Sequence, residues 1–260
     1  MTVITCTTDE RGVATLTLNR PDKHNALDGE TLRQLHESLL QIQQDSTVRA
    51  VVITGAGVSF CAGADIAHMR SMVGATEQQN LDDARLLARC LRTLDQLTQP
   101  VVARINGNVF GGGVGLVACA DIAIAAEPAK FALTEVRLGI VPAAISPYVI
   151  AAIGARHARR LFLSAAPFDA TEARAMNLVH FCVTADQLDT TVDQQLDLLL
   201  RGGPAAQRAA KRLIRDVVAA TDPDVLVTQT AELLARLRVS PEGREGLSAF
   251  LERRKPDWQK

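Results

Sequence analysis

The sequence predicts an α/β protein with strands packed beneath helices, followed by a region of helix alone. Short apolar β-rich runs alternate with stretches whose apolar residues recur at helical spacing, and the alternation stops near residue 184. At 260 residues, 47% hydrophobic and 22% charged, the chain is long enough to bury a large core. The change of pattern divides it into a body, 1–184, and a helical C-terminal region, 185–260.

The elements follow in order. Val3 to Thr7 and Val13 to Asn19 are β-rich and flank Asp9-Glu10-Arg11-Gly12, where glycine can take the positive φ of a tight hairpin. After Asp28, Leu32, Leu35, Leu39 and Ile42 mark a helix, and Ala50 to Thr54 is a short strand ending at Gly55. A second round has Leu81, Ala84, Leu87, Leu91 and Leu94 on a helix, Pro100 as its stop and Val101 to Ile105 as the strand. In the third, Gly112 to Ala120 is the helix and Ile122 to Ala126 the strand. The recurring unit implies a spiral of similar turns, repeated in structure and not in sequence.

The longest uncharged run, Leu138 to Ala155, is broken by Gly139, Pro142, Pro147 and Gly154. It predicts a buried turn and a short helix, with Ser146 as N-cap and Pro147 in the first turn, and not a membrane span. Helices are then predicted over 185–201, 204–219, 222–238 and 241–254. Their apolar residues, among them Val192, Leu196, Leu199, Leu226, Leu233, Leu234 and Leu237, exceed what a thin layer can bury by itself. Packing on the body or on another subunit follows, so an oligomer is expected.

Composition excludes several classes. Lys plus Arg number 28 and Asp plus Glu 29, a net charge of -1, so no broad field of one sign attracts nucleic acid or anionic lipid. Aromatic content of 3% leaves little for base stacking. The five scattered cysteines form no CxxC pair, which argues against a disulfide framework or structural zinc and fits a reducing, cytoplasmic compartment. The start, MTVITCTTDERG, lacks the basic and apolar regions of a signal peptide. The histidines show no ligand spacing, so no metal is expected. There is no GxSxG elbow and Cys61 has no identifiable base, which disfavours covalent acyl chemistry.

Three segments can carry chemistry. Phe60-Cys61-Ala62-Gly63-Ala64-Asp65-Ile66 is a small-residue loop whose amides could face an oxyanion, or an ordinary strand-to-helix connection. Asn106 to Leu116 places Gly111-Gly112-Gly113 at a helix start. Glycine costs a helix roughly 1 kcal/mol per residue, so the run points either to close approach of a ligand or to close helix packing. It has neither the GxGxxG nor the Walker spacing. In Phe131 to Pro142, Glu135 lies among apolar neighbours, where desolvation would raise its pKa into the range of a general acid/base; an ion pair with Arg137 or Arg104 is the alternative.

Taken with Leu18-Asn19-Arg20-Pro21-Asp22-Lys23-His24-Asn25-Ala26-Leu27, Cys119-Ala120-Asp121-Ile122 and the closing Glu245 to Pro256, these segments resemble, in order and spacing over nearly the whole chain, the enoyl-CoA hydratase/isomerase (crotonase) superfamily. The resemblance implies a crotonase-like spiral of ββα units in 1–184, holding the CoA and active sites, and a helical trimerisation region in 185–260. It implies an acyl-CoA substrate, with coenzyme A part of that substrate and no separate cofactor, and a homotrimer or a hexamer of paired trimers. It gives Ala64 and Gly112 the two backbone N–H groups that hold the thioester oxygen and Glu135 the acid/base role. Lys23, Ala26, Ala62, Asp65 and Ile66 would line the CoA site, joined by Phe250 and Arg253, often from a neighbouring subunit.

One departure stands out: members with two carboxylates carry a Glu where this chain has Gly115, which is expected to leave space beside the thioester. GGGVGL together with Glu135 to Val149 is similar to bacterial methylglutaconyl-CoA hydratases of leucine and isoprenoid breakdown. That likeness implies hydration of a branched, carboxylated 2-enoyl-CoA, with Arg137, Arg104 or Tyr148 open as receivers of the second carboxylate. A Δ3,Δ2-enoyl-CoA isomerase with Glu135 as proton shuttle is the alternative reading, and a non-catalytic CoA-ester binder the third.

Overall fold

The computed structural model describes residues 2–259. Ten strands among them form two sheets. The larger sheet has the order β1 (Ile4–Thr8), β2 (Val13–Leu18), β3 (Ala50–Gly55), β5 (Val101–Ile105), β7 (Ile122–Ala126), β10 (Phe181–Val183). The smaller has β4 (Ser59–Cys61), β6 (Asn108–Phe110), β8 (Lys130–Ala132) and β9 (Phe168–Asp169). All neighbours pair in parallel except the opening hairpin β1·β2 and the edge pair β8·β9. The chain lays one strand in each sheet per turn, β3 then β4, β5 then β6, β7 then β8, which makes the spiral.

Helices α1 (Gly29–Gln44), α2 (Ile66–Met72), α3 (Glu77–Gln96) and α4 (Gly112–Ala118) connect the turns. They are followed by α5 (Ser146–Ser164), α6 (Ala170–Ala175), α7 (Leu188–Leu200), α8 (Pro204–Ala219), α9 (Pro223–Val239) and α10 (Pro241–Leu251). Asp28 caps α1 by accepting the Thr31 N–H, and Thr76 caps α3 in a reciprocal box with Gln79. No helix among the described residues is long and apolar enough to cross a membrane.

The continuous apolar runs of the central strands follow from burial on both faces. In β3, Val51 and Ile53 face the main core with Leu16, Leu18 and Phe60, while Ala50 and Val52 face a second cluster closed by Leu188, Val192 and Leu196 of α7. The smaller sheet was legible only in part: the strand before Gly111-Gly112-Gly113 is expected from the sequence and is β6, whereas β4 falls in a segment read as a loop and β8 and β9 were assigned no strand. Runs of three residues such as Ser59–Cys61 are too short to show a period of two.

The stretch after Glu135 departs from expectation. Leu138, Ile140 and Val141 are 61%, 57% and 65% exposed, so this segment is an apolar rim and not a buried turn. A 3-10 turn, Glu135–Leu138, ends at Gly139 in the left-handed conformation and carries the chain outward. Ser146 is the first residue of α5 and not its cap; its hydroxyl donates to Ala143 O at 2.8 Å.

The C-terminal helices dock at the N-terminal ends of the larger sheet's strands. Lys211 of α8 reaches Asp121 at 2.6 Å, and Arg49, just before β3, donates to Leu200 O, Gly202 O and Trp258 O at 3.3, 2.9 and 3.2 Å. Hydrogen bonds from a charged donor are worth roughly 1.5–3 kcal/mol each where their acceptors would be left unmet. Arg49→Ala is therefore expected to cost about 2 kcal/mol or more in urea unfolding and to speed amide exchange near Gly202 and Trp258. An unchanged midpoint would show that this clamp contributes nothing.

Candidate active site

The three segments singled out in the sequence leave the same end of one sheet. β4, β6 and β8 are adjacent and parallel, and Ala64, Gly112 and Glu135 stand just beyond their last residues, Cys61, Phe110 and Ala132. Neighbouring strands lie about 4.8 Å apart, so pairing alone gathers the three. The loops also touch. A Cβ placed on Gly111 would meet Gly63 Cα at 3.8 Å and Glu135 Oε1 at 3.3 Å. Gly111 has φ +48° and ψ -118°, a conformation that excludes side chains, and this bend delivers Gly112 as the first residue of α4.

Neither candidate donor has an acceptor among the described residues. Leu27 bridges the loop by donating to Gly63 O at 2.7 Å and accepting from Asp65 N–H at 2.9 Å, which turns the Ala64 N–H to the opposite side. The Gly112 N–H, in the first turn of α4, has no intrahelical acceptor. No backbone carbonyl among the described residues accepts from either group.

Glu135 is the only ionisable group of this constellation. Burial raises its carboxyl above the ordinary value, with its own backbone N–H as a weaker opposing influence, and Oε2 is buried without a hydrogen-bond partner among the described residues. The ion-pair alternative is overturned: Arg137 donates to Ala165 O at 2.8 Å and Arg104 pairs with Asp189 of α7. Those bonds also engage two of the three groups considered for a second substrate carboxylate. Cys61, beside the loop, is buried with its thiol pushed up to about 12, which removes it as a nucleophile near neutral pH.

The expected space beside Gly115 is absent. A Cβ there would lie 2.3 Å from Ile145 Cγ2, 2.9 Å from Ile145 Cβ and 3.3 Å from Leu91 Cδ2. The apolar Ile145 fills the volume, because the turn before α5 folds back onto α4.

Lys23, Ala26, Ala62, Asp65 and Ile66 surround the Leu27·Ala64 bridge. Ala62 N–H donates to His24 O at 2.9 Å and Ala26 N–H to Lys23 O at 3.0 Å, while Lys23 is exposed and Ile66 is 73% exposed. The Asp65 side chain is engaged in structure: it accepts from Ala67 and His68 N–H at the start of α2 and pairs with Arg20 at 2.9 Å. Burial pushes its carboxyl up, but those hydrogen bonds and Arg20 outweigh burial and hold it below the ordinary value. Within the chain, α10 packs on α8 and α9, leaving Phe250 80% exposed and Arg253 exposed.

Sequence reasoning assigned no role to Arg20 or Asn25, which position these loops. Arg20 also pairs with Asp28 at 3.0 Å and donates to Ala26 O at 2.7 Å; buried Asn25 donates to Ala56 O and Ser59 O at 2.9 and 2.7 Å. An arginine and an asparagine in a polar loop carry no local signal of partners so far along the chain.

Two unpaired N–H groups beside a carboxyl that burial keeps easily protonated can polarise a carbonyl oxygen and move a proton next to it, the requirements of an enzyme acting alpha to an acyl carbonyl. The enoyl-CoA hydratase/isomerase family model matches residues 8–260, and the chain belongs to that family. It is 33% identical to the crotonyl-CoA hydratase of Syntrophomonas wolfei subsp. wolfei, covering 96% of this chain and 95% of that protein. It is also 33% identical to the 2,3-dehydroadipyl-CoA hydratase of Escherichia coli K12, covering 96% of each. Among solved structures, an enoyl-CoA hydratase from Shewanella pealeana superposes with a TM-score of 0.95 at 39% identity, over 98% of this chain and 96% of that one. The fold is that of the crotonase superfamily, and the protein is an enzyme of enoyl-CoA hydratase/isomerase type.

Proposed function

We propose that the protein hydrates a 2-enoyl-CoA, with Glu135 as acid/base and the Ala64 and Gly112 N–H groups as donors to the thioester oxygen. The observation that carries this is the buried Glu135 carboxyl, Oε2 unpaired, against the Gly111 bend that presents Gly112. Each donor is worth roughly 3–4 kcal/mol as negative charge develops on the oxygen. Glu135 draws a proton from water as its oxygen adds to the β-carbon and returns the proton to the α-carbon.

Lys23, Ala26, Ala62, Ile66 and the backbone at Asp65 receive the CoA moiety. Phe250 and Arg253 reach it from a neighbouring subunit of a homotrimer or a pair of trimers. Supporting this are the exposed apolar faces of α9 and α10, with Val227 68%, Val239 61% and Leu251 79% exposed, and the apolar rim at 138–141. The body at 1–184 thus carries chemistry and 185–260 assembly, in the cytoplasm. The acyl group is branched and carboxylated, as in 3-methylglutaconyl-CoA. The likeness of the 111–149 region supports this, as does the relative named for a dehydroadipyl-CoA, itself a carboxylated substrate.

A Δ3,Δ2-enoyl-CoA isomerase is favoured by one observation, that Ile145 leaves Glu135 the only carboxylate of the constellation. Incubation with 3-methylglutaconyl-CoA, crotonyl-CoA and a 3-enoyl-CoA in ¹⁸O-labelled water separates the two. Labelled 3-hydroxyacyl product is expected, with 3-methylglutaconyl-CoA preferred; unlabelled product of shifted double bond would make the enzyme an isomerase.

A further inference from the structure

Arg20 braces the backbone bridge that aims one of the two donors. In that bridge Leu27 pairs with Ala64, and the Ala64 N–H is turned to the side away from Leu27. The Arg20 guanidinium reaches both of the bridged segments. Nη1 donates to Ala26 O at 2.7 Å and lies 3.0 Å from Asp28 Oδ2, the residues on either side of Leu27, while Nη2 donates to Asp65 Oδ2 at 2.9 Å, next to Ala64. The other carboxylate oxygens cap helices: Asp28 Oδ1 accepts from Thr31 at the start of α1, and Asp65 Oδ1 from Ala67 and His68 N–H at the start of α2. Asn25 fixes the Arg20 backbone in turn, its Oδ1 accepting the Arg20 N–H and its own N–H donating to Arg20 O, both at 2.9 Å. The cluster is largely out of solvent, the Arg20, Asp28 and Asp65 side chains being 16%, 26% and 7% exposed. Burial pushes the Asp28 carboxyl up, as does Asp65, yet the Thr31 hydrogen bonds and Arg20 hold it below the ordinary value. A rigid fork of donors meets three acceptors at once here, which a single ammonium on a flexible stem does not do.

We infer that Arg20 is a positioning residue for the Ala64 N–H: by tying Ala26 and Asp28 to Asp65 it holds the Leu27·Ala64 bridge in place and sets where that donor points. The inference rests on the proposed role of Ala64. The second donor does not depend on it. Gly112 is placed by α4 and by the Gly111 N–H bonding to Ala132 O at 3.0 Å, and among the described residues no hydrogen bond or ion pair joins Arg20 to 111–118. Loss of the brace therefore misplaces one donor and spares the other. The donors act most strongly as charge develops on the oxygen, so the cost falls on kcat more than on substrate binding.

The test compares Arg20→Gln and Asp65→Asn, singly and together, in the full chain. Asparagine keeps an oxygen for the Ala67 and His68 N–H groups but carries no charge toward Arg20. Arg20→Gln is expected to lower kcat about 10- to 100-fold with KM within about threefold of the parent, and to cost about fivefold less once Asp65 is asparagine. Without ligand, ¹⁵N-alanine and ¹⁵N-glycine labelling reads the two donors separately by NMR, their signals assigned by loss in Ala64→Ser and Gly112→Ala. The Ala64 amide is expected to shift in Arg20→Gln and the Gly112 amide to stay. If Arg20→Gln does not fold, Arg20→Lys keeps the charge without the fork and is read in the same way. A kcat within about twofold of the parent, a change confined to KM, equal costs in the two Asp65 backgrounds or equal displacement of both amides would each overturn the inference. Absence of turnover on every enoyl-CoA in the parent would instead overturn the proposed function, and the two amide signals would still decide the place of Arg20.

Discussion

Glu135→Gln is expected to reduce turnover by about 10³- to 10⁴-fold, the upper range for loss of a positioned acid/base, with binding of a saturated acyl-CoA unchanged. The amide matches the carboxyl in shape, so the Gly111 bend that Glu135 Oε1 abuts is preserved. Stability moves the other way. Burial raises this carboxyl in the folded state, so its contribution is fully present below the unfolded value and lost as pH rises through the raised folded one. Glutamine carries no charge to desolvate, and the variant should be at least as stable as the parent at neutral pH. In the parent, turnover should rise with pH through the same raised value, because the base must be ionised. Retention of turnover by a folded Glu135→Gln protein would remove Glu135 from the chemistry.

Gly112→Pro should lower kcat by about 10²- to 10³-fold, the effect of losing one oxyanion donor. Gly112 is the first residue of α4, a position where proline is tolerated and its missing N–H takes no bond from the helix. The preceding Gly111, at φ +48° and ψ -118°, occupies the mirror image of the extended region that a residue before proline prefers, which glycine can do. Gly112→Ala is the control: it keeps the N–H, and its Cβ meets only the side-chain ends Leu27 Cδ1 at 3.1 Å and Leu87 Cδ1 at 4.0 Å. Equal activity of the proline and alanine variants would mean that the thioester oxygen is not held there. A loss confined to the proline variant, with KM little changed, would assign the effect to the donor.

Much of the candidate site was legible because its signals are local. Glu135 stands out as one carboxyl near apolar neighbours, and Gly111-Gly112-Gly113 as glycines where a helix should avoid them. The residues that position these groups were not legible. Arg20 acts through Asp28 and Asp65, Asn25 through Ala56 and Ser59, and in each case the meaning lies in a partner brought close by folding.

Gly115 shows the limit most clearly. Its sequence reading, an empty place beside the thioester, follows from the missing side chain, but whether space results depends on what else packs there, and Ile145 does. The apolar run at 138–141 misled for a related reason: hydrophobicity reports a preference for burial, and this chain alone provides no cover.

The α/β class, the alternation of strand and helix, the change to pure helix near residue 184 and the three candidate segments were determined by the sequence itself, since composition, periodicity and glycine placement act within a few residues. Only the tertiary structure decided that β4, β6 and β8 are neighbours, that their ends bring Ala64, Gly112 and Glu135 together, and that the volume beside Gly115 belongs to Ile145. Strand order and side-chain packing are relations between distant segments, and a chain expresses them only when folded.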